Sequence, residues 1–196
     1  SIITTAEGFN AMNEARDAYF ITQNLEIKKD VNQTLVLKRP LAKLRVVTTD
    51  KQHWAKYSTP AQVVVKYYES ALSNVFNAVN GNIDATNSPL QQLTYDVTYA
   101  TAASQYNETT DNKTLFADYL FAIPGAHIPV HFTMDVLESD GRLIRSNDFN
   151  TEIPIERNHL TTVIGNLLTT ASEIEVRIDD NFSNEIIELL FHTLLE

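Results

Sequence analysis

His127 and His131 stand four residues apart, the spacing at which two imidazoles on one helix face share a zinc ion. Pro129 lies between them, and the alternation around them predicts a strand instead. On a strand four residues span about 13 Å, so one metal would need a third element to bring both histidines together. His159 follows Glu156, Arg157 and Asn158, a grouping with acid–base potential. No serine nucleophile or paired carboxylate stands at a matching distance, and Arg157-Asn158 reads better as a polar turn. Asp179-Asp180-Asn181-Phe182-Ser183-Asn184-Glu185 approaches a calcium loop but has Asn184 where the sixth-position glycine belongs and Leu190 where the twelfth-position glutamate belongs. The five glycines are scattered, so no phosphate-cradling loop forms. Asn32, Asn107 and Asn112 head Asn-x-Thr sequons, which matter only in a eukaryotic secretory route. Tyr67, Tyr68, Tyr95, Tyr99 and Tyr106 would make a sugar platform if exposed, although strand tyrosines more often pack a sheet face. These residues predict no catalytic, metal or cofactor site.

The elements around them read as strands. Ile128, Val130, Phe132, Met134 and Val136 share one face of a period-2 run, with His131, Thr133 and Asp135 on the other. Thr34 to Arg39 and Leu41 to Thr48 form two strand runs separated by Pro40, which has no amide to donate. In the second run Ala42, Leu44 and Val46 face one side, and Lys43 and Arg45 are expected on a solvated face. Ala61 to Glu69 is apolar on both sides, with Val63, Val65 and Tyr67 opposite Val64, Lys66 and Tyr68, which suggests a strand covered on both faces. Leu93 to Tyr99 and Thr114 to Ala122 are further strands. Asn80-Gly81, Pro124-Gly125 and Ser139-Asp140-Gly141 mark turns. Ile153 to Thr169 reads as a long strand entered at Arg157-Asn158, with Gly165 marking a bulge or close approach. It is followed by a hairpin partner carrying Ile174, Val176 and Ile178. Near the N-terminus, Ala11 to Ala18 suits a short helical turn and Tyr19-Phe20-Ile21 a short strand. Nine or ten short strands with turn signals between them predict an all-β fold, an antiparallel β-sandwich.

The bulk composition agrees with a globular chain. Its 196 residues are 43% hydrophobic and 20% charged, enough for a core without staples. No apolar run approaches the roughly 18 residues of a membrane span. The net charge of −10 disfavours nucleic acid and anionic membrane surfaces. The absence of cysteine removes disulfides and thiolate chemistry. Ser1 opens a polar segment without a leader pattern, which leaves the destination open.

Three segments carry a resemblance: Leu37-Lys38-Arg39-Pro40-Leu41-Ala42-Lys43-Leu44-Arg45-Val46-Val47, Asp118-Tyr119-Leu120-Phe121-Ala122, and Ile153 to Thr169. Together they look like Bacteroidales fimbrillin-like proteins, subunits and accessory proteins of cell-surface fimbriae. The resemblance covers most of residues 35 to 178 and contains no catalytic signature. It implies a transthyretin-like sandwich, a non-enzymatic role in cell adhesion, and a place on the bacterial cell surface, at the outer membrane or in a fimbrium. Fimbrial subunits or further copies of the chain are the implied partners, with a host protein or glycan besides. It also divides the chain into 1–50, the end or remnant of an N-terminal β-domain whose earlier strands lie outside this sequence, and 51–196, the main sandwich.

The tail at 184–196, NEIIELLFHTLLE, breaks the preceding style. As a helix it places Ile186, Ile187, Leu190, Phe191, Leu194 and Leu195 on one broad apolar stripe; as a strand it aligns Ile187, Leu189, Phe191 and Leu195. The spacing favours the helix slightly. Either form exposes apolar surface unless it packs on its own sandwich or on a neighbour. The resemblance adds a second expectation, that Ile186, Ile187, Leu189, Leu190, Phe191, Leu194 and Leu195 form an exchange element inserted by β-strand addition. The alternative expectation is a binding module outside any filament, with a glycan or host protein held by the loops Thr49–Pro60 and Thr101–Lys113.

Overall fold

The computed structural model describes residues 2–4, 17–24, 34–52, 60–68, 73, 75–83, 93–96, 112–169, 174–180 and 186–189, with backbone alone for 2–4, 93–96, 151–152, 180 and 186–189. Apart from a helical backbone at Lys51 and Gln52, the elements among these residues are strands: β1 (Ile2–Thr4), β2 (Leu41–Thr48), β3 (Gln62–Tyr67), β4 (Val75–Asn77), β5 (Asn82–Ile83), β6 (Leu93–Asp96), β7 (Lys113–Phe121), β8 (Ile128–Leu137), β9 (Leu143–Ile155), β10 (His159–Gly165), β11 (Ile174–Asp180) and β12 (Ile186–Leu189). They form a five-stranded sheet in the order β12-β11-β10-β2-β7, a four-stranded sheet in the order β6-β3-β8-β9, and a small sheet β1-β4-β5.

The two larger sheets share one core, which makes the sandwich. Along β8, Ile128, Val130, Phe132, Met134 and Val136 are buried, while the residues between them are half-buried or exposed. A period-2 chain with one apolar face buries that face against whatever covers it. Val63, Val65 and Tyr67 of β3 and Phe149, Ile153 and Ile155 of β9 extend the layer. Ala42, Leu44, Val46, Leu115, Phe116, Val163 and Val176 of the five-stranded sheet close it from the other side. Phe132 stands at the centre. Its ring stacks on Phe149 at 4.5 Å and meets Phe116 edge-on at 5.9 Å across the gap between the sheets. A second cluster of Leu41, Phe76, Tyr119 and Phe121, with Phe20, Ala78 and Ile83 packed against it, joins the small sheet to the larger body.

Several expectations change. Lys43 and Arg45 do not face solvent: they keep 5% and 8% of their surface. The Lys43 ammonium lies over the Tyr119 ring at 5.0 Å, and Arg45 donates to Thr162 Oγ1 from Nε (3.2 Å) and Nη2 (2.9 Å). Both long side chains have partners on the outer face of the five-stranded sheet, so their charges do not keep that face open. The strand β3 shows the opposite error. It is central in its sheet, but Lys66 and Tyr68 are exposed and Val64 half-buried, so its second face is open.

Thr34 to Arg39 is not a continuous strand. Its sheet contact is a single bridge, with Lys38 and Phe20 exchanging two backbone hydrogen bonds of 2.8 Å. Ile153 to Thr169 is not one strand either. Its first residues end β9 in the four-stranded sheet and its later ones form β10 in the five-stranded sheet. Gly165 ends β10, and its carbonyl accepts from the Thr49 amide at 2.9 Å.

The five-stranded sheet is also not purely antiparallel. β10 runs parallel to β2 from Leu160↔Lys43 to Gly165↔Thr48, and antiparallel to β11. A parallel neighbour needs a long crossover, and here the whole stretch from β3 to β9 intervenes. The boundary expected near Asp50 falls just beyond β2, whose two neighbours, β7 and β10, both come from after it. In the tail, 186–189 form a strand rather than the favoured helix, antiparallel to β11 from Asp179↔Ile186 to Val176↔Leu189. The border of β11 has unpaired backbone groups that a strand at 186–189 satisfies and a helix there would leave open, which is how tertiary context overrides a local period.

Candidate functional site

The connection from β9 to β10 turns within Glu156, Arg157 and Asn158. The His159 amide donates to the Glu156 carbonyl at 3.1 Å, and Asn158 adopts φ 65°. That left-handed region is one asparagine tolerates far better than branched residues. The Asn158 amide donates to the Leu41 carbonyl at 2.8 Å, and its Oδ1 accepts from Arg39 Nη1 at 2.8 Å. Arg39 in turn grips Asp17 through two bonds of 2.5 and 2.7 Å, a fork that ties the N-terminal segment to this corner.

With Asn158 held from both sides, Arg157 points inward and is 9% exposed. Its Nε donates to the Ala122 carbonyl and its Nη2 to the Gly81 carbonyl, each at 2.8 Å. The guanidinium lies 5.8 Å from the Phe20 ring centre and 5.7 Å from that of Phe76. Phe20 meets Phe76 edge-on at 4.8 Å, and Phe76 stacks on Phe121 at 5.3 Å. Gly81 is required here: it has φ +72°, and an added Cβ would stand 3.3 Å from the Phe20 ring. Burial alone acts on the proton affinity of Arg157, pulling its pKa below that of an ordinary arginine. No carboxylate pairs with it among the described residues.

Beside Arg157 opens a pocket of about 440 Å³. Lys38 and the turn Asn80 to Asn82 line it together with Phe20, Ile21, Val79 and Pro124. Among the described residues its lining holds two cations and no acid, in a chain with 25 acidic and 15 basic side chains.

The three described histidines lie against two carboxylates. His131 Nε2 lies 2.9 Å from Asp148 and its ring 4.8 Å from that of Tyr68. His127 Nε2 lies 3.4 Å from Glu156, and His159 Nε2 lies 4.0 Å from the same carboxylate. His159 Nδ1 contacts the Arg157 carbonyl at 2.8 Å. Among the described residues no three His, Asp or Glu side chains gather in a metal-holding group. Asp179 and Asp180 end β11, and 181–185 lie outside the described residues. Of the tyrosines, Tyr67 is buried and donates to Asp118 Oδ2 at 3.2 Å, while Tyr68 is half exposed under the Lys66 ammonium. Tyr95 belongs to β6; Tyr99 and Tyr106 lie outside the described residues, as do 53–59 and 101–111 of the two expected binding loops. Asn112 is described; Asn32 and Asn107 are not. Of the tail residues, Ile186, Ile187 and Leu189 belong to β12, while Leu190, Phe191, Leu194 and Leu195 lie outside the described residues.

Sequence reasoning placed Arg157 in a turn but not in an interior. Gly81 and Arg157 are 76 residues apart, and no local pattern joins them. The available signal was Asn158, whose tolerance of positive φ marks the turn that sends its neighbour inward.

The chain matches a family of unknown function, DUF6562, over residues 1–194. It belongs to that family. No curated protein matches it in sequence. Among solved structures it is similar to a proposed cell adhesion protein of Bacteroides uniformis, with 12% identity, a TM-score of 0.39 and coverage of 74% of this chain and 52% of that one. It is also similar to a proposed adhesin of Bacteroides thetaiotaomicron, with 10% identity, a TM-score of 0.32 and coverage of 78% and 53%. This DUF6562 chain thus spans about half the length of each. Neither likeness is close enough to carry a function across.

Proposed function

We propose that this DUF6562 protein is a non-enzymatic, fimbrillin-like cohesion module of the bacterial cell surface, which joins other subunits or further copies of itself by β-strand addition. The observation that carries the reading is the border of the five-stranded sheet. β12, the last described strand, pairs with β11 alone, through four residue pairs. A border strand can pass to a neighbouring molecule with every backbone bond kept, because the acceptor edge of β11 is the same in either molecule.

A second observation supports the fimbrillin resemblance. Its three segments are contiguous in space. β2 pairs with β7 and β10, the Leu41 carbonyl accepts from Asn158, and the Ala122 carbonyl accepts from Arg157. They form one structural unit, as segments inherited together from a common fold would.

Exchange has a direct assay, since the chain has no cysteine of its own. Arg177 and Glu188 are register partners in the backbone pairing of β11 with β12. Chains carrying only Arg177→Cys, mixed with chains carrying only Glu188→Cys, are expected to yield a disulfide-linked heterodimer under mild oxidation, since opposite positions of an antiparallel pair bring Cβ atoms close. Mixtures that stay uncrosslinked, while the double variant closes within one chain, would rule out exchange of β12.

A further inference from the structure

We propose that the pocket beside Arg157 binds a small organic carboxylate, with the carboxylate facing Arg157 and Lys38 and the apolar remainder lying on Ile21 and Val79. This site is independent of strand exchange.

Three observations converge on it. First, Arg157 is a buried cation whose neighbours are two carbonyls and two rings rather than an acid. Burying a cation is costly unless an anion or a full set of acceptors answers it. Nε and Nη2 are engaged by carbonyls, and Nη1 has no acceptor among the described residues. A carboxylate supplies the missing acceptor and the missing charge in one group, and guanidinium is the side chain best shaped to hold it.

Second, Lys38 lines the same pocket, and no acidic partner holds its ammonium among the described residues. Its backbone is fixed by the paired bonds to Phe20, so the stem starts from a set position. Two cations and no acid among the described lining residues reverse the acidic average of the chain, and such a wall selects against neutral and cationic occupants.

Third, the cavity has the size and mixed lining of a small-molecule site. Its volume of about 440 Å³ falls within the roughly 300 to 1,000 Å³ typical of ligand pockets. Ile21 and Val79 are exposed at the mouth, at 36% and 62%. Apolar side chains left open beside a charged end fit an amphipathic acid better than a bare inorganic anion.

A carboxylate of this kind comes from an acidic sugar or from the free end of a peptide. The test is an NMR titration of the full chain with glucuronate and with N-acetylleucine, their neutral amides as controls, and sodium sulfate as a bare anion. At least one carboxylate is expected to bind, with amide shifts confined to residues near Ile21, Val79 and Gly81 and its neutral amide at least tenfold weaker. Glucuronate alone would assign the sugar source, and N-acetylleucine alone the peptide end. Lys38→Gln removes an exposed charge without touching the core and is expected to weaken binding about tenfold, a loss of about 1.4 kcal/mol. Val79→Asp places an anion at the mouth and is expected to abolish it. Arg157→Lys keeps the charge but not the fork and is expected to weaken binding further, provided its spectrum is that of the folded chain. The proposal is overturned if no carboxylate binds, if the neutral amides or sulfate bind as tightly as the acids, or if Lys38→Gln and Val79→Asp bind like the parent.

Discussion

Asp50 offers the sharpest test of how the sandwich is held at the exit of β10. It is 6% exposed and has no cationic partner among the described residues. Its charge is met by donors. Oδ2 accepts from the Leu168 amide at 3.0 Å, the Thr169 amide at 2.8 Å and the Thr169 hydroxyl at 2.8 Å, and Oδ1 accepts from the Thr48 hydroxyl. The two amides sit just past β10, where the sheet ladder ends. In Asp50→Ala both lose their acceptor. The Leu168 amide is buried, and an orphaned buried donor costs about 1–3 kcal/mol. The half-buried Thr169 amide recovers part of its bond from water, and the weaker hydroxyl contacts add the rest. A loss of about 3–5 kcal/mol follows, a large share of the roughly 5–15 kcal/mol that holds a domain together.

For a chain of this length that is a fall in Tm on the order of 10 °C. Asp50→Asn separates charge from shape. Its amide oxygen still accepts from Leu168 and Thr169, and its amide group faces a Thr48 hydroxyl that can turn to accept. The expected loss is about 1–2 kcal/mol, the difference between charge-assisted and neutral hydrogen bonds. Urea unfolding followed by far-UV circular dichroism reads both variants. The reasoning fails if Asp50→Ala lies within about 1 kcal/mol of the parent, or if Asp50→Asn is as damaging as Asp50→Ala.

Two further outcomes follow from the core and the corner. Phe132→Ala empties the centre between the sheets, where the ring is fully buried against Phe149, Phe116 and Tyr67, and a loss of about 3–5 kcal/mol is expected in the same unfolding assay; a loss under about 1 kcal/mol would mean that the two layers do not meet there. Asn158→Val forces a branched residue to φ 65° and removes the acceptor of Arg39, for an expected loss of about 2–3 kcal/mol, whereas Asn158→Gly keeps the turn and loses only the side-chain bond. Equal stability of the two variants would contradict a left-handed residue at that position.

What could be read along the chain was local. The face of β8 was visible because period-2 alternation belongs to consecutive residues, and so were the turns at Gly81, Gly141 and Asn158, since tolerance of positive φ is a property of one residue and its neighbours. The hairpin of β10 with β11 followed from two alternating runs joined by a short connection. Burial of Lys43 and Arg45 could not be read this way. Whether a charged face is wet depends on what packs over it, and Tyr119 and Thr162 come from strands far along the chain. The same holds for the open second face of β3, and for the parallel register of β2 with β10, which a whole intervening sheet separates.

The tail shows the competition most clearly. Its i, i+4 spacing is a true helical signal, yet at 186–189 the free border of β11 offers an alternative that no property of the tail reveals. At the Arg157 corner, residue types named a turn, but the pocket exists only because Phe20, Lys38, Gly81 and Pro124 arrive there from four distant places. Short-range order was therefore written in side-chain periodicity and backbone preference. The dry interior charge, the crossover and the ligand-sized hollow arose from long-range packing, because desolvation and pairing energies depend on neighbours that the fold alone brings near.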